Sequence, residues 1–210
     1  MNIIDENSAN NIVAKQDVIQ KEEIQTETTP SLGGDNNGNV NPCWHLDNDD
    51  ANSEAISNSL GAEDHPRVQL LSMAFNVVEN FNFLWENRFS NLNILNLSFN
   101  KLININAIEY IPSLKVLRCT SNKIEELPSV AVFSRLTNLE EFWINRNKLI
   151  NLEDTVLALT GAPSLKKLVL CKNPCCKTSI DALYFHYVTA TLEFLDILDG
   201  KRITPSMKVK

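Results

Sequence analysis

Two hundred and ten residues allow one domain plus an extension, and the net charge of −7 is unevenly spread along them. Residues 1–65 hold 13 Asp/Glu and 2 Lys/Arg (−11), whereas residues 66–210 hold 13 and 17 (+4). Nucleic acid is therefore not an expected partner, since +4 is modest and a −11 segment repels phosphate, and no apolar run approaches the roughly 18 residues of a membrane span.

In chain order, residues 1–65 come first, rich in Asn, Asp, Glu and Ser, with Gly33, Gly34 and Gly38 and few large apolar residues. Such a composition buries too little apolar surface to offset the entropy of ordering the chain, so the segment is expected to be a mostly disordered acidic tail. Short helices over 17–27 and 53–60 are the local exceptions this reading allows. The N-terminus lacks a basic stretch followed by an apolar run, so no secretory signal is expected. Five cysteines (Cys43, Cys119, Cys171, Cys175, Cys176) show no framework spacing, which points to a reduced intracellular setting, cytoplasmic with nuclear or ciliary alternatives.

From residue 68 a frame repeats: "VQLLSMAFN" at 68, "LNILNLSFN" at 92, "LKVLRCTSN" at 114, "LEEFWINRN" at 139 and "LKKLVLCKN" at 165. Apolar residues stand first, fourth and sixth and Asn ninth, and the steps between starts are 24, 22, 25 and 26 residues. A short strand with one buried face fits the apolar positions, because strand side chains alternate. The Asn ladder (Asn76, Asn100, Asn122, Asn147, Asn173) falls where the chain leaves each strand, and a side-chain amide there satisfies backbone groups that the turn strands. Between strands, residues 79–91 and 152–161 read as helices, the second stopped by Gly161, whereas 106–113 has room for one turn only.

The frame resembles the leucine-rich-repeat family, whose L-x-x-L-x-L-x-x-N pattern has a period of 20–29 residues. The resemblance implies an α/β solenoid with short parallel strands on its concave face and helices or turns on the convex one. After the fifth unit, residues 179–203 read as a helix, a strand and a turn at Asp199-Gly200. This segment is similar to the C-terminal cap of a leucine-rich-repeat subfamily. Tyr184, Val188, Leu192, Leu195, Leu198, Asp199, Gly200 and Ile203 match it, while Phe185 replaces an Arg and Glu193 a Pro. The expected organisation is a tail over 1–65, five repeats over 66–177, a cap over 178–204 and a short end over 205–210.

Three outward columns follow from the period of two. One holds Ser72, Asn96, Arg118, Trp143 and Val169, and a second holds Ala74, Ser98, Thr120, Asn145 and Cys171. The third, just before each Asn, holds Phe75, Phe99, Ser121, Arg146 and Lys172. Trp and Arg are the residue types most enriched at interaction hot spots. The expected partner-binding residues are Phe75, Phe99, Arg118, Trp143, Arg146, Lys167 and Lys172, meeting a protein on the concave face. The competing readings are that the two Phe residues pack against the turns and that the charges are simply solvated.

No catalytic site is expected, since no phosphate loop, paired catalytic carboxylates or nucleophile elbow is present and there are only three histidines. No small-molecule substrate and no cofactor is called for. Cys171, Cys175 and Cys176 lie close together but lack a second pair or four ligands at metal spacing, so no metal is expected either. The chain reads as a monomer or a subunit of a hetero-complex. "LEEFWINRNKL" resembles units of the leucine-rich-repeat regulatory subunit of type-1 protein phosphatase and of the leucine-rich-repeat light chain of axonemal dynein. The cap is also similar to that of a spliceosomal relative. These resemblances imply a regulatory subunit or scaffold, with a motor-associated or ribonucleoprotein role as alternatives.

Overall fold

A computed structural model describes residues 11–13, 32–34, 40–42, 68–80, 89–177 and 181–208. The five frames become five three-residue strands: β4 (Leu70–Ser72), β5 (Ile94–Asn96), β6 (Val116–Arg118), β7 (Glu141–Trp143) and β8 (Lys167–Val169). They pair in parallel, each with the next, in perfect frame register: Leu71, Leu95, Leu117, Phe142 and Leu168 lie side by side. These fourth-position side chains and the first- and sixth-position ones are all buried, so one face of the sheet forms one wall of the apolar core. Cys119 is a core residue of this wall, and burial pushes its thiol up.

Three further strands belong to residues 1–65: β1 (Asn11–Val13), β2 (Leu32–Gly34) and β3 (Val40–Pro42). β1 pairs in parallel with β4, and β2 pairs with β3. The first strand of a solenoid exposes a row of unpaired backbone groups, and an extended segment of almost any composition can satisfy them. The remaining positions of the acidic tail, including the two short helices expected at 17–27 and 53–60, lie outside the described residues.

The connections return behind the sheet. A 3-10 turn spans Asn106–Tyr110, as the short 22-residue step requires. Helix α1 (Val130–Phe133) and helix α2 (Leu152–Leu159) occupy the longer steps. Asn151 caps α2, its side-chain oxygen accepting from Asp154 N at 3.2 Å. The helix expected over 79–91 is not formed at Glu79, Asn80 or 89–91, and 81–88 lie outside the described residues. Gly161 also departs from expectation. Thr160 closes α2 in the right-handed region and Gly161 has no positive φ, so it is not a left-handed stop. It is glycine because α1 of the preceding unit leaves no room: an added Cβ would collide with the Val130 carbonyl oxygen and sit 3.1 Å from Phe133 Cβ.

The cap follows as helix α3 (Asp181–Thr191), strand β9 (Ile197–Leu198) and strand β10 (Lys201–Arg202). β9 extends the parallel sheet and β10 turns back antiparallel to it, completing eight strands. The two-residue link Asp199-Gly200 has φ of 50° and 79°, the left-handed pair that a tight hairpin needs. Asp199 also ends the Asn ladder. Its Oδ1 accepts from Leu170 N (2.7 Å) and Cys171 N (2.9 Å), and its Oδ2 accepts from the Tyr184 hydroxyl at 2.8 Å.

Burial, reinforced by the Asp199 charge, pushes the Tyr184 phenol up. The folded state therefore favours neutral Tyr184. Its contribution is intact below the unfolded value of about 10 and is lost as the pH rises above it. Tyr184→Phe should cost about 1.5–3 kcal/mol at neutral pH, the worth of a hydrogen bond to a charged group. It should also flatten the fall in melting temperature above about pH 10. Thermal melts of both proteins between neutral and alkaline pH check both points.

Candidate functional site

The parallel register fixes what faces away from the core. Third-position residues form the column Leu70, Ile94, Val116, Glu141, Lys167 and Ile197, and fifth-position residues form Ser72, Asn96, Arg118, Trp143 and Val169. The first column changes character halfway, from three aliphatic side chains to an acid and a base. Sequence reading overlooked its apolar end, although the signal was present in the frame as apolar residues at an outward position.

Trp143 is half-buried at the junction. The Arg118 guanidinium carbon lies 5.6 Å from its ring centroid and the Lys167 ammonium 4.8 Å. Both distances fall within the range in which a cation is attracted to an aromatic face. The indole Nε1–H donates to Glu141 Oε2 at 3.3 Å, and Lys167 Nζ is 3.2 Å from the same oxygen. One carboxylate thus holds the indole edge and one of the two cations. Arg118 is exposed and pairs with no carboxylate among the described residues. The arrangement presents a partly covered indole beside a guanidinium that no described carboxylate neutralises, a combination suited to a carboxylate-bearing surface.

The third column is separate from this cluster. Phe75, Phe99, Ser121, Arg146 and Lys172 all adopt left-handed backbone, with φ of 65°, 58°, 57°, 58° and 63°. For a bulky residue such a φ is an outlier, and here it recurs at every repeat as the chain turns out of the strand. Phe75 and Phe99 stack on each other, ring centroids 4.3 Å apart and planes within 6°. Arg146 and Lys172 stand exposed further along. Of the seven expected binding residues, the structure therefore gathers Arg118, Trp143 and Lys167 around one ring. It places the other four, Phe75, Phe99, Arg146 and Lys172, in a row beside them.

The Asn ladder is continuous. From the second rung on, each amide bridges two units: Asn100 Nδ2 donates to Met73 O (2.9 Å) and Leu97 O (3.0 Å), and Asn122 Nδ2 to Leu97 O (3.0 Å) and Cys119 O (3.1 Å). Asn147 and Asn173 repeat this with Cys119, Ile144 and Leu170. Asn76, half-exposed at the first rung, donates among the described residues to its own unit's carbonyls.

Cys176 Sγ donates to Leu170 O at 3.2 Å and lies 3.8 Å from Cys175 Sγ. The Cys175 hydrogen bond and burial push the Cys176 thiol up. Among the described residues no group of three or more His, Cys, Asp or Glu is arranged to hold a metal ion, and His186 is an exposed residue of the cap helix. Among them also, no helix is long and apolar enough to cross a membrane.

Comparison with known proteins agrees with the frame. A model of leucine-rich repeats in two copies matches residues 112–159. Cilia- and flagella-associated protein 410 of Homo sapiens is 36% identical over 110 residues, which cover 52% of this chain and 41% of that protein. The Mus musculus protein of the same name is 32% identical over 114 residues, covering 54% and 44%. The matches thus span less than half the length of these relatives. Among solved structures, a chain of the Drosophila melanogaster SNF/U2A' complex superposes with a TM-score of 0.56 at 21% identity, over 65% of this chain and 75% of that one. An internalin from Listeria monocytogenes superposes at 0.52 and 23% identity, over 71% and 38%. At such identities the superpositions establish the fold.

Proposed function

Taking the chain as a leucine-rich-repeat protein, we propose that it is a non-catalytic scaffold or regulatory subunit that binds a protein on the concave face of its sheet. The carrying observation is Trp143, held on that face between Arg118 and Lys167, with Arg118 paired to no carboxylate among the described residues. The neighbouring aliphatic column of Leu70, Ile94 and Val116 supplies apolar area beside it. A partner with an apolar stripe ending in acidic residues matches both halves. The likeness to cilia- and flagella-associated protein 410 favours a ciliary or flagellar setting, in line with the resemblance to the dynein light chain. Regulation of a phosphatase and a ribonucleoprotein role remain as outcomes that the same experiment separates.

The test is affinity capture with the full chain and with Trp143→Ala, identified by mass spectrometry and followed by titration of the recovered partner. Axonemal proteins, phosphatase subunits or spliceosomal proteins would each assign a class. Trp143→Ala should weaken binding by about 2 kcal/mol or more, roughly thirtyfold. It should leave stability within about 1 kcal/mol, since the indole is only half-buried. Loss of several kcal/mol of stability with partner affinity unchanged would reduce Trp143 to a packing residue.

A further inference from the structure

The left-handed column beside the concave face has a gap in it. Its backbone keeps the register of the sheet beyond the strands. Phe75 N donates to Ser98 O (2.9 Å), Phe99 N to Thr120 O (2.7 Å), Ser121 N to Asn145 O (3.0 Å) and Arg146 N to Cys171 O (3.2 Å). Successive side chains of the column therefore stand one strand spacing apart, about 4.8 Å. The Phe75–Phe99 centroid distance of 4.3 Å with planes at 6° is that spacing expressed in two rings. The next rung is Ser121, whose side chain is too small to continue the stack, and the rung after it is the exposed Arg146. Phe99 accordingly keeps 41% of its surface exposed. Two rungs separate Phe99 from Arg146, roughly 9–10 Å, which admits one planar group between them in offset stacking, with centroids about 4.5–5 Å apart on either side.

We propose that the gap over Ser121 is a docking slot for a planar aromatic side chain of a partner protein, one followed by acidic residues. The ring would stack on the open face of Phe99, with the Arg146 guanidinium over its other side. Arg146 and Lys172 pair with no carboxylate among the described residues. An extended segment rises about 3.3 Å per residue, so acids two and four positions beyond the aromatic reach them. A nucleobase has the same planar shape. Two rim cations on a chain of net charge −7 hold a phosphate backbone poorly, so the protein segment is the occupant the charges favour. The inference rests on the concave-face reading and names a recognition element at its edge.

The experiment titrates the full chain, followed by amide NMR, with the peptide acetyl-Ala-Trp-Ala-Glu-Ala-Glu-Ala-amide. Parallel titrations use the same peptide with Leu for Trp, the same with Lys for Glu, and an oligouridylate. The Trp-Glu peptide should shift the amides of Phe99, Ser121 and Arg146, and each altered peptide should bind at least about tenfold more weakly. Ser121→Phe fills the slot with the ring its own column carries at two other rungs, in the same backbone conformation. It should fold with an undiminished melting temperature and lose the peptide. Phe99→Ser removes the stacking wall and should lose it too, which covers the case in which Ser121→Phe folds poorly. Equal binding of the Trp and Leu peptides, shifts centred elsewhere, retention by both variants, or binding of the oligouridylate instead would each overturn the slot. Trp143→Ala, which leaves the slot intact, should keep the peptide. If that variant loses a captured partner while Ser121→Phe retains it, the slot fails and the concave-face reading survives.

Discussion

Asn122→Ala is expected to lower stability by about 2–3 kcal/mol, whereas Asn93→Ala should stay within about 0.5 kcal/mol. Chemical denaturation of the two variants checks the pair. The carbonyls that Asn122 serves do not explain the difference, because each has a second donor: Leu97 O also accepts from Asn100 and Cys119 O from Asn147. The amide of Leu102 is different. Its N–H is buried with the chain behind the strand and donates to Asn122 Oδ1 at 3.0 Å. Removing that acceptor leaves a donor with its full desolvation cost. Asn93 sits half-exposed on the rim, and what the sheet uses there is its backbone oxygen, which accepts from Lys115 N and Val116 N. Alanine keeps that oxygen. Asn76→Ala should fall between the two, because the described partners of its amide are carbonyls of its own unit, Met73 O and Ala74 O. Equal losses at Asn122 and Asn93 would mean that the ladder does not carry the turns.

Gly161→Ala should destabilise by about 1–3 kcal/mol, the usual range for overpacking, even though its backbone conformation suits alanine. On chain entropy alone the change would stabilise by about 0.4–1 kcal/mol. Contact decides against it, because the atom in the way is the Val130 carbonyl oxygen. Backbone of a neighbouring helix cannot swing aside as a side-chain tip would. Gly200→Ala separates the two causes. Nothing lies within 4 Å of the site of its Cβ, but its φ is +79°, so its cost is backbone strain of about 1–2 kcal/mol. Thermal denaturation of both variants, with a structure of Gly161→Ala showing α1 displaced from α2, would distinguish packing from strain. A stabilised Gly161→Ala would contradict the close approach.

Much of this solenoid was readable one residue at a time. Alternation placed Leu71, Leu95, Leu117, Phe142 and Leu168 inward because a strand has only two faces. The ninth-position Asn was readable because its amide is the side chain that can both give to and take from a turning backbone. The matches at Tyr184 and Asp199 likewise marked a cap before their hydrogen bond was visible.

The columns already set Arg118 beside Trp143; what the chain order could not supply is that Lys167 rather than Arg146 is the second cation to close on the ring, across strands 22 to 26 residues apart. That Arg118 and Lys167 close on Trp143 is decided by parallel register, because a one-residue slip would send every outward side chain to the other face. The aliphatic column of Leu70, Ile94 and Val116 becomes a surface only when those strands lie side by side. Gly161 read as a helix stop because local conformation is the usual reason for glycine after a helix. Its actual reason, contact with Val130, lies 31 residues away and exists only once two units stack. The Phe75–Phe99 stack and the place of the small Ser121 beside it depend on left-handed backbone repeated at every turn. Spacing along the chain specifies the repeat, and the sheet's hydrogen bonds turn that repeat into neighbouring side chains.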